Sequence, residues 1–338
     1  MKAPSTKKMA VYRALRDLAL SLPPGAPLGD TIFGFARKFG VSPKTVQAAV
    51  KLLKSEGIIT ARTKVGLRVH PSRPQPRRRE ERLLFLASGA ARNKRFPSCI
   101  RRGIREAAER HDFTVIEKDP GGIREALALA REGLISCAAV SLYRPGKALV
   151  RAAVELASSG VHVCAVDQVI KGLDSVVIDN RSVGRMAARY MFSQRGIRRA
   201  FIMRRYYYAQ AEAEREEGII EILDELAVAH SRLRWATCIS GHECQVFPEF
   251  LAAGFDVVFA HTAEMAAEIR RIASEVTGKA PLAVSVGTEE ELKEHQVSGI
   301  VVSPEEMGEK AVQLLVERRR DPFRPPQILR IEGRIFIP

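Results

Sequence analysis

Cysteine is sparse in this chain of 338 residues, and Cys99, Cys137, Cys164, Cys238 and Cys244 form no Cys-x-x-Cys pair. That spacing speaks against a zinc ribbon or a dithiol redox motif and leaves reduced, mostly buried thiols as the expectation. Long apolar runs are missing too. Behind Lys7 and Lys8 the chain is broken by Arg13, Arg16 and Asp17, so neither a signal core nor a membrane span is expected, and a cytoplasmic protein is. No Gly-x-Gly-x-x-Gly follows a strand, and the pairs Gly146-Lys147 and Gly278-Lys279 lack the upstream glycine and following Ser/Thr of a phosphate loop. No Gly-x-Ser-x-Gly elbow is present, and the seven histidines show no nucleophile arrangement. His242-Glu243-Cys244 groups three ligand types, but adjacent side chains point different ways and no second histidine stands at metal spacing. The sequence therefore predicts no enzyme, no metal and no cofactor.

What is present is positive charge, unevenly placed. Residues 1–82 carry 18 Lys+Arg against 5 Asp+Glu, a net +13, whereas the remainder carries 36 against 34, a net +2. One basic module that meets a polyanion, joined to a nearly neutral body, is the reading of that asymmetry. With 46% hydrophobic and 28% charged residues over 338 positions, two or three globular domains are expected.

In the basic quarter, Met9, Tyr12, Leu15, Leu18 and Leu22 recur at helical spacing until Pro23, Pro24 and Gly25 stop the helix. A second, short helix is expected after Asp30 as N-cap, burying Ile32, Phe35 and Phe39 before Gly40 turns the chain. Ser42 caps a third helix with Pro43 at its first position, where a missing N–H costs nothing. Its inward face reads Val46, Val50 and Leu53, leaving Lys44, Thr45, Gln47, Lys51 and Lys54 outward until Gly57. Two helices on a tight turn make a helix-turn-helix, and the alternation from Ile58 to Val69, tipped by Lys64 to Gly66, adds a two-stranded wing.

Through Gly40-Val41-Ser42-Pro43-Lys44-Thr45-Val46-Gln47, then Leu52 to Gly57 and Gly66, this unit resembles the winged helix-turn-helix of GntR-family transcription regulators. The resemblance implies that helix 43–56 enters the major groove of double-stranded DNA while the wing tip approaches the minor groove. Pro43 and Gln47 stand where the family usually has arginines, and Lys64 where it has the wing's first glycine. Ser42, Lys44, Thr45, Gln47, Lys51, Lys64 and Gly66 are the candidate DNA-binding residues. An amide at Gln47 matches the donor and acceptor of adenine, and Lys44 and Lys51 suit phosphates; the alternative is a merely solvated helix face.

Residues 71–81, rich in proline and arginine, read as a semi-extended linker in which Arg77 to Arg79 either touch phosphate or are simply solvated. From Leu83 onward short buried strands alternate with helices, which predicts parallel sheets in two α/β lobes. Expected strands include Ala138 to Leu142, Val161 to Val166, Ala200 to Met203 and Val257 to Ala260. The carrying residues are Phe96 before Gly103-Ile104 and Ala107-Ala108; Val166-Asp167; Asp179-Asn180 with Gly184 and Ala187; and Gly196 before Ala200-Phe201-Ile202. They continue with Arg215 and Gly218, Gly287, and Pro304 through Met307-Gly308 with Ala311. In their order and spacing, residues 82–338 resemble the effector domain of LacI/GalR-family regulators, which look like periplasmic binding proteins of type I.

The resemblance implies a ligand in the cleft between lobes, closure that repositions two DNA-binding modules, and a homodimer on a palindromic operator. Phe96, Asp167, Tyr206, Tyr208, Arg215, Thr262 and Glu289 are the candidate ligand-binding residues. Arg215 matches the family's cleft arginine, whose fork suits vicinal hydroxyls or a carboxylate; a salt bridge to Glu212 or Glu216 is the structural alternative. Tyr206 and Tyr208, beside Arg204 and Arg205, either wall a ligand or pack beneath their loop, and Phe96 either stacks on the ligand or packs. Asp167 fits a ligand acceptor or a hinge hydrogen bond. Glu289 replaces the usual aspartate, and Thr262 and Ala263 replace the usual Asn-Asp pair.

The expected fold class is thus α/β: a winged helix-turn-helix at 1–70, the linker, then two lobes at about 82–167 plus 290–324 and 168–289 plus 325–338. The expected function is a sequence-specific transcription regulator, a repressor whose DNA affinity a sugar or related metabolite modulates. Its alternative is a regulator with a degenerate sensor used for dimerisation or for binding a protein partner.

Overall fold

The computed structural model describes residues 6–62, 66–71, 81–87, 94–141, 147–194, 197–205, 210–228, 233–238 and 254–338. Most of the linker, 72–80, lies outside the described residues, as do Lys64, Gly196, Tyr206, Tyr208 and 242–244. By compactness the chain forms two units, 1–176 with 305–329 and 177–304 with 330–338.

The N-terminal module consists of helices α1 (Thr6–Ser21), α2 (Ile32–Lys38) and α3 (Pro43–Ser55) and antiparallel strands β1 (Ile59–Arg62) and β2 (Gly66–Val69). Its core gathers Val11, Leu15, Ala19, Phe35, Val46, Ala49, Val50, Leu53, Ile59, Leu67 and Val69. Ser42 caps α3 by accepting the Thr45 N–H at 3.2 Å, with Pro43 in the first turn, as its sequence predicts. For α2 the cap is Thr31, which accepts from Gly34 N, and not Asp30. Asp30 instead accepts the Thr31 N–H at 2.7 Å, one step outside the helix. Of the expected stripe of α1, Leu15 is fully buried and Tyr12, Leu18 and Leu22 pack, partly buried, against the same core, joined by the fully buried Val11 and Ala19. No residue from 8 to 20 is exposed, because the helix is covered on more than one side.

The first lobe alternates β3 (Glu81–Leu86), α4 (Arg95–Arg110), β4 (Phe113–Lys118), α5 (Ile123–Arg131), β5 (Cys137–Ser141), α6 (Lys147–Ser158), β6 (His162–Val166) and β7 (Asp174–Ile178). Its sheet runs β4-β3-β5-β6-β7 in parallel, closed at the far edge by β13 (Ile328–Ile331). Strand β5 is buried along its whole length, as a parallel strand covered on both faces must be. The second lobe holds α7 (Asn180–Ser193), β8 (Ala200–Arg205), α8 (Gln210–Glu225), β9 (Leu233–Cys238), β10 (Val257–Ala260), α9 (Ala263–Thr277), β11 (Leu282–Gly287), α10 (Glu289–Glu294) and β12 (Ser298–Val301). Its sheet runs β9-β8-β10-β11-β12 in parallel, with β14 (Arg334–Phe336) antiparallel on the edge. Helix α11 (Pro304–Arg320) belongs, from Glu305 on, to the first unit.

The lobe crossings therefore lie at 176/177, 304/305 and 329/330, not at the expected 167/168, 289/290 and 324/325. Backbone pairing is the reason. β7 still pairs in register with β6 (Cys164↔Asp174), and β12 pairs with β11 (Val284↔Ser298), so the chain leaves each sheet only when its last strand ends. Cys137 and Cys164 are buried thiols, as the sequence predicts, and Cys99 is half-buried.

Candidate functional site

On the N-terminal module the outward face of α3 is basic and open. Ser42, Lys44, Gln47, Lys51 and Lys54 are exposed, while Val46, Ala49, Val50 and Leu53 anchor the opposite face. Arg37 and Lys38 in the last turn of α2 are also exposed. Thr45 is half-buried, and its hydroxyl lies 2.9 Å from that of Ser42, so these two residues stabilise the helix start as well as lying at its surface. Gly66 opens β2 at φ +80°, the left-handed conformation that suits glycine at a hairpin tip. Exposed Lys44, Lys51 and Lys54 on α3 and Arg37 and Lys38 on α2 give this module a positive field that attracts a polyanion.

The two lobes share a topological feature that the sequence does not display. In each, the chain lays its second strand on one side of the first and its third on the other. Open α/β sheets bind ligands outside the C-terminal ends of the strands at such a switch point. In the first lobe the switch point lies between β3 and β5, and Phe96, in the first turn of the helix that follows β3, is half-buried. Asp167, at the C-terminal end of β6, holds φ +78° while its N–H donates to Val176 O at 2.9 Å. A non-glycine residue there is held by its surroundings, in keeping with a defined turn between β6 and β7.

In the second lobe the switch point lies between β8 and β10, and a buried polar cluster stands where β10 ends. His261 follows β10 directly and is 4% exposed; Glu212 and Glu216, one helical turn apart on α8, are 0% and 3% exposed. Glu216 Oε1 lies 3.6 Å from His261 Nε2, and the His261 ring packs edge-on against Phe259. Neither ring nitrogen of His261 has a hydrogen-bond partner among the described residues. Burial, and next Arg215 among the unfavourable charges, hold the imidazole below its ordinary pKa against the pull of Glu216 and Glu212, so it is neutral at pH 7. Arg215 donates from Nε to Asn180 Oδ1 at 2.8 Å, and Asn180 Nδ2 donates to Ile178 O at 3.2 Å. The guanidinium is thereby fixed between α7 and α8. Those helices are in backbone contact: a Cβ on Gly184 would lie 1.9 Å from Arg215 O, and one on Gly218 would lie 2.1 Å from Arg181 O.

The remaining candidates are placed differently. Thr262 caps α9, accepting the Met265 N–H at 3.3 Å. Glu289, in the first turn of α10, pairs with Lys293 at 2.5 Å and with Arg334. Those partners hold its carboxyl below the ordinary range, the Lys293 hydrogen bond most of all. Asn180 and His261 were not among the sequence candidates. The signal for His261 was present, a histidine where strand Val257 to Ala260 ends and a helix begins, but its contact with Glu216 spans 45 residues and exists only in the fold. Among the described residues no group of three His, Cys, Asp or Glu side chains could hold a metal ion. No described helix is long and apolar enough to cross a membrane.

No protein-family model matches this sequence, and no curated protein matches it either. Solved structures do resemble it. A LacI family transcriptional regulator from Enterococcus faecium with bound ribose superposes with TM-score 0.60 at 20% identity, over 75% of this chain and 96% of that one. A LacI-family putative transcriptional regulator from Rhizobium etli gives TM-score 0.61 at 14% identity, over 76% and 97%. The transcriptional regulator CelR in complex with cellobiose gives TM-score 0.56 at 17% identity, over 91% and 98%. The α/β body of this chain has the fold of these LacI-family structures.

Proposed function

We propose that this protein is a DNA-binding transcription regulator whose affinity for its operator responds to a small molecule, a sugar or related metabolite. The N-terminal module is read as a GntR-type winged helix that places α3 in the major groove, with two copies on a palindromic site. Gln47 reads an adenine edge, and Lys44 and Lys51 neutralise phosphates. The effector is read as meeting the C-terminal crevices of the lobes, where Arg215 offers its fork to hydroxyls or a carboxylate and Phe96 stacks on an apolar ring face. Differential affinity of the effector for two conformations sets how far DNA affinity can shift, and repression is the assigned sign.

The observation that carries this reading is the pairing, in one chain, of an open basic helix with a second-lobe cluster of half-buried Arg215 and buried Glu216 and His261. One observation favours a sensor that only dimerises or binds a protein: Glu289 is engaged by Arg334 and Lys293, and Thr262 by its cap. Retention of fragmented genomic DNA on the full-length protein, followed by sequencing, separates the two. A palindromic motif lost on adding a small-molecule cell extract supports the effector reading; a motif indifferent to the extract supports the degenerate sensor. Absence of any motif overturns the regulator.

A further inference from the structure

Helix α1 has more buried surface than the core of its own module accounts for. Val11, Leu15 and Ala19 face that core. Arg13 and Asp17 lie on another side of the same helix, and both are largely withdrawn from water, which lowers the pKa of the Arg13 guanidinium and raises that of the Asp17 carboxyl. What covers them is the first lobe. Arg13 Nη2 donates to Ser159 O at 3.2 Å, and its guanidinium lies against Gly160, at the turn into β6. Asp17 feels the charge of Arg319, in the last turn of α11, ahead of those of Arg16 and Arg13.

The surface that receives α1 is the edge of the sheet where its parallel strands begin. Cys137, His162 and Asp174 are the first residues of β5, β6 and β7. Arg13 acts on both the Cys137 thiol and the His162 ring. Asp174, 1% exposed, is gripped by Arg318 at 2.8 and 2.9 Å and by Arg324 at 3.1 Å, and accepts the Gln327 N–H at 2.8 Å. That grip pins the segment after α11, and Phe323 within it packs, tilted, against Phe39, just past α2, with ring centroids 4.8 Å apart. Two separate contacts, one through α1 and one through Phe39, thus hold the module while the cationic face of α3 stays open.

The same contacts lead back toward the ligand end of the lobe. Phe96 is on α4, and α4 touches α11 at backbone distance: a Cβ on Gly103 would stand 2.0 Å from Glu305 O, and one on Gly308 would stand 2.3 Å from Ile100 O. Packed backbones with no side chains between them move together rather than independently. The C-terminal end of α11 carries Arg318 and Arg319 and leads directly into Phe323.

We propose that the N-terminal module is clasped to the strand N-terminal edge of the first lobe through Arg13, Asp17 and Phe39, so that α3 takes its orientation from α11. In the clasped state, Arg13 of α1 is bound at Ser159 and Gly160, at the same strand edge as the fully buried Cys137. The buried thiol is pushed up to about 12, which keeps it unreactive while covered. Cys164, equally buried one strand away inside β6, is shielded by the sheet and not by the module, and so serves as an internal control.

The test is iodoacetamide labelling of the full-length protein, read cysteine by cysteine by mass spectrometry, in the wild type, in Phe323→Ala and in Arg13→Ala/Phe323→Ala. Both variants act outside the buried core of the module. The clasp predicts that Cys137 labelling rises by about tenfold or more in the double variant, and less in the single one, with Cys164 unchanged. Equal Cys137 rates in all three proteins overturn it, and so does a rise at Cys137 matched by one at Cys164, which is opening of the lobe itself. A second arm rests on the regulator reading: affinity for a retained palindromic fragment falls in the double variant while affinity for its half-site does not. If the wild type retains no palindrome, that reading fails while the labelling arm still judges the clasp.

Discussion

The two lobes share one strand order but place their buried charge at opposite ends. In the first lobe Asp174 and its two arginines lie where the strands begin, and every acceptor direction of the carboxylate is filled. In the second, Glu216 and His261 lie where the strands end, and His261 has neither ring nitrogen hydrogen-bonded among the described residues. A buried charge that is fully paired holds chain segments together; a buried polar side chain without its bond costs stability and is kept where something else supplies the partner. The comparison separates an edge whose buried charge is fully paired from one whose buried polar group is not, within the same topology.

The largest effect should come from breaking the paired edge. Asp174→Ala leaves Arg318 and Arg324 buried without their carboxylate, and urea denaturation should show a loss of about 3–5 kcal/mol; a loss below about 1 kcal/mol would remove the contrast. Next comes the pH response. Burial, reinforced by Arg13, lowers His162 to about 4. A base whose pKa is lower in the folded state stabilises the fold above its unfolded value near 6.5 and loses that stability as pH falls toward 4, by roughly 3 kcal/mol over the window. His261 is lowered in the same sense, so His162→Gln should flatten the acid limb of the denaturation midpoint only in part, and His162→Gln/His261→Gln further.

A smaller effect sharpens the functional side. Gln47→Ala should cost about 1–3 kcal/mol at one base position of the selected operator and leave the other positions alone; unchanged sequence preference would remove Gln47 from the base-reading role. Arg215→Ala should abolish the response to cell extract while operator binding persists, and loss of both would make Arg215 a structural residue. The smallest effect belongs to the surface ladder between α7 and α8, where Arg181, Arg185 and Arg189 pair with Glu221 and Glu225. Arg189→Ala should shift stability by less than about 1 kcal/mol, because both partners are solvated.

Much of this architecture is legible in the residues. The cap at Ser42, the buried face of α3 and strand Val257–Ala260 stand where periodicity and turn chemistry put them, since these features are set within a few residues. The candidate site is legible only in part. Arg215 was singled out on its helix, but its partner Asn180 lies 35 residues away, and the partner of Glu289 is Arg334, 45 residues on. The second buried side of α1, with Arg13 and Asp17, was missed for the same reason, since its cover comes from a lobe far along the chain.

The sequence by itself determined the elements, the segregation of positive charge and the βα alternation, because propensity, capping and hydrophobic period act over a turn or a strand. Only the tertiary structure decided where the lobes exchange chain, that Cys137, His162 and Asp174 form one edge beneath α1, and that His261 meets Glu216. Those outcomes depend on which strands pair and which helices touch, and pairing over long sequence separations is chosen by the packing of the whole sheet rather than by any local pattern.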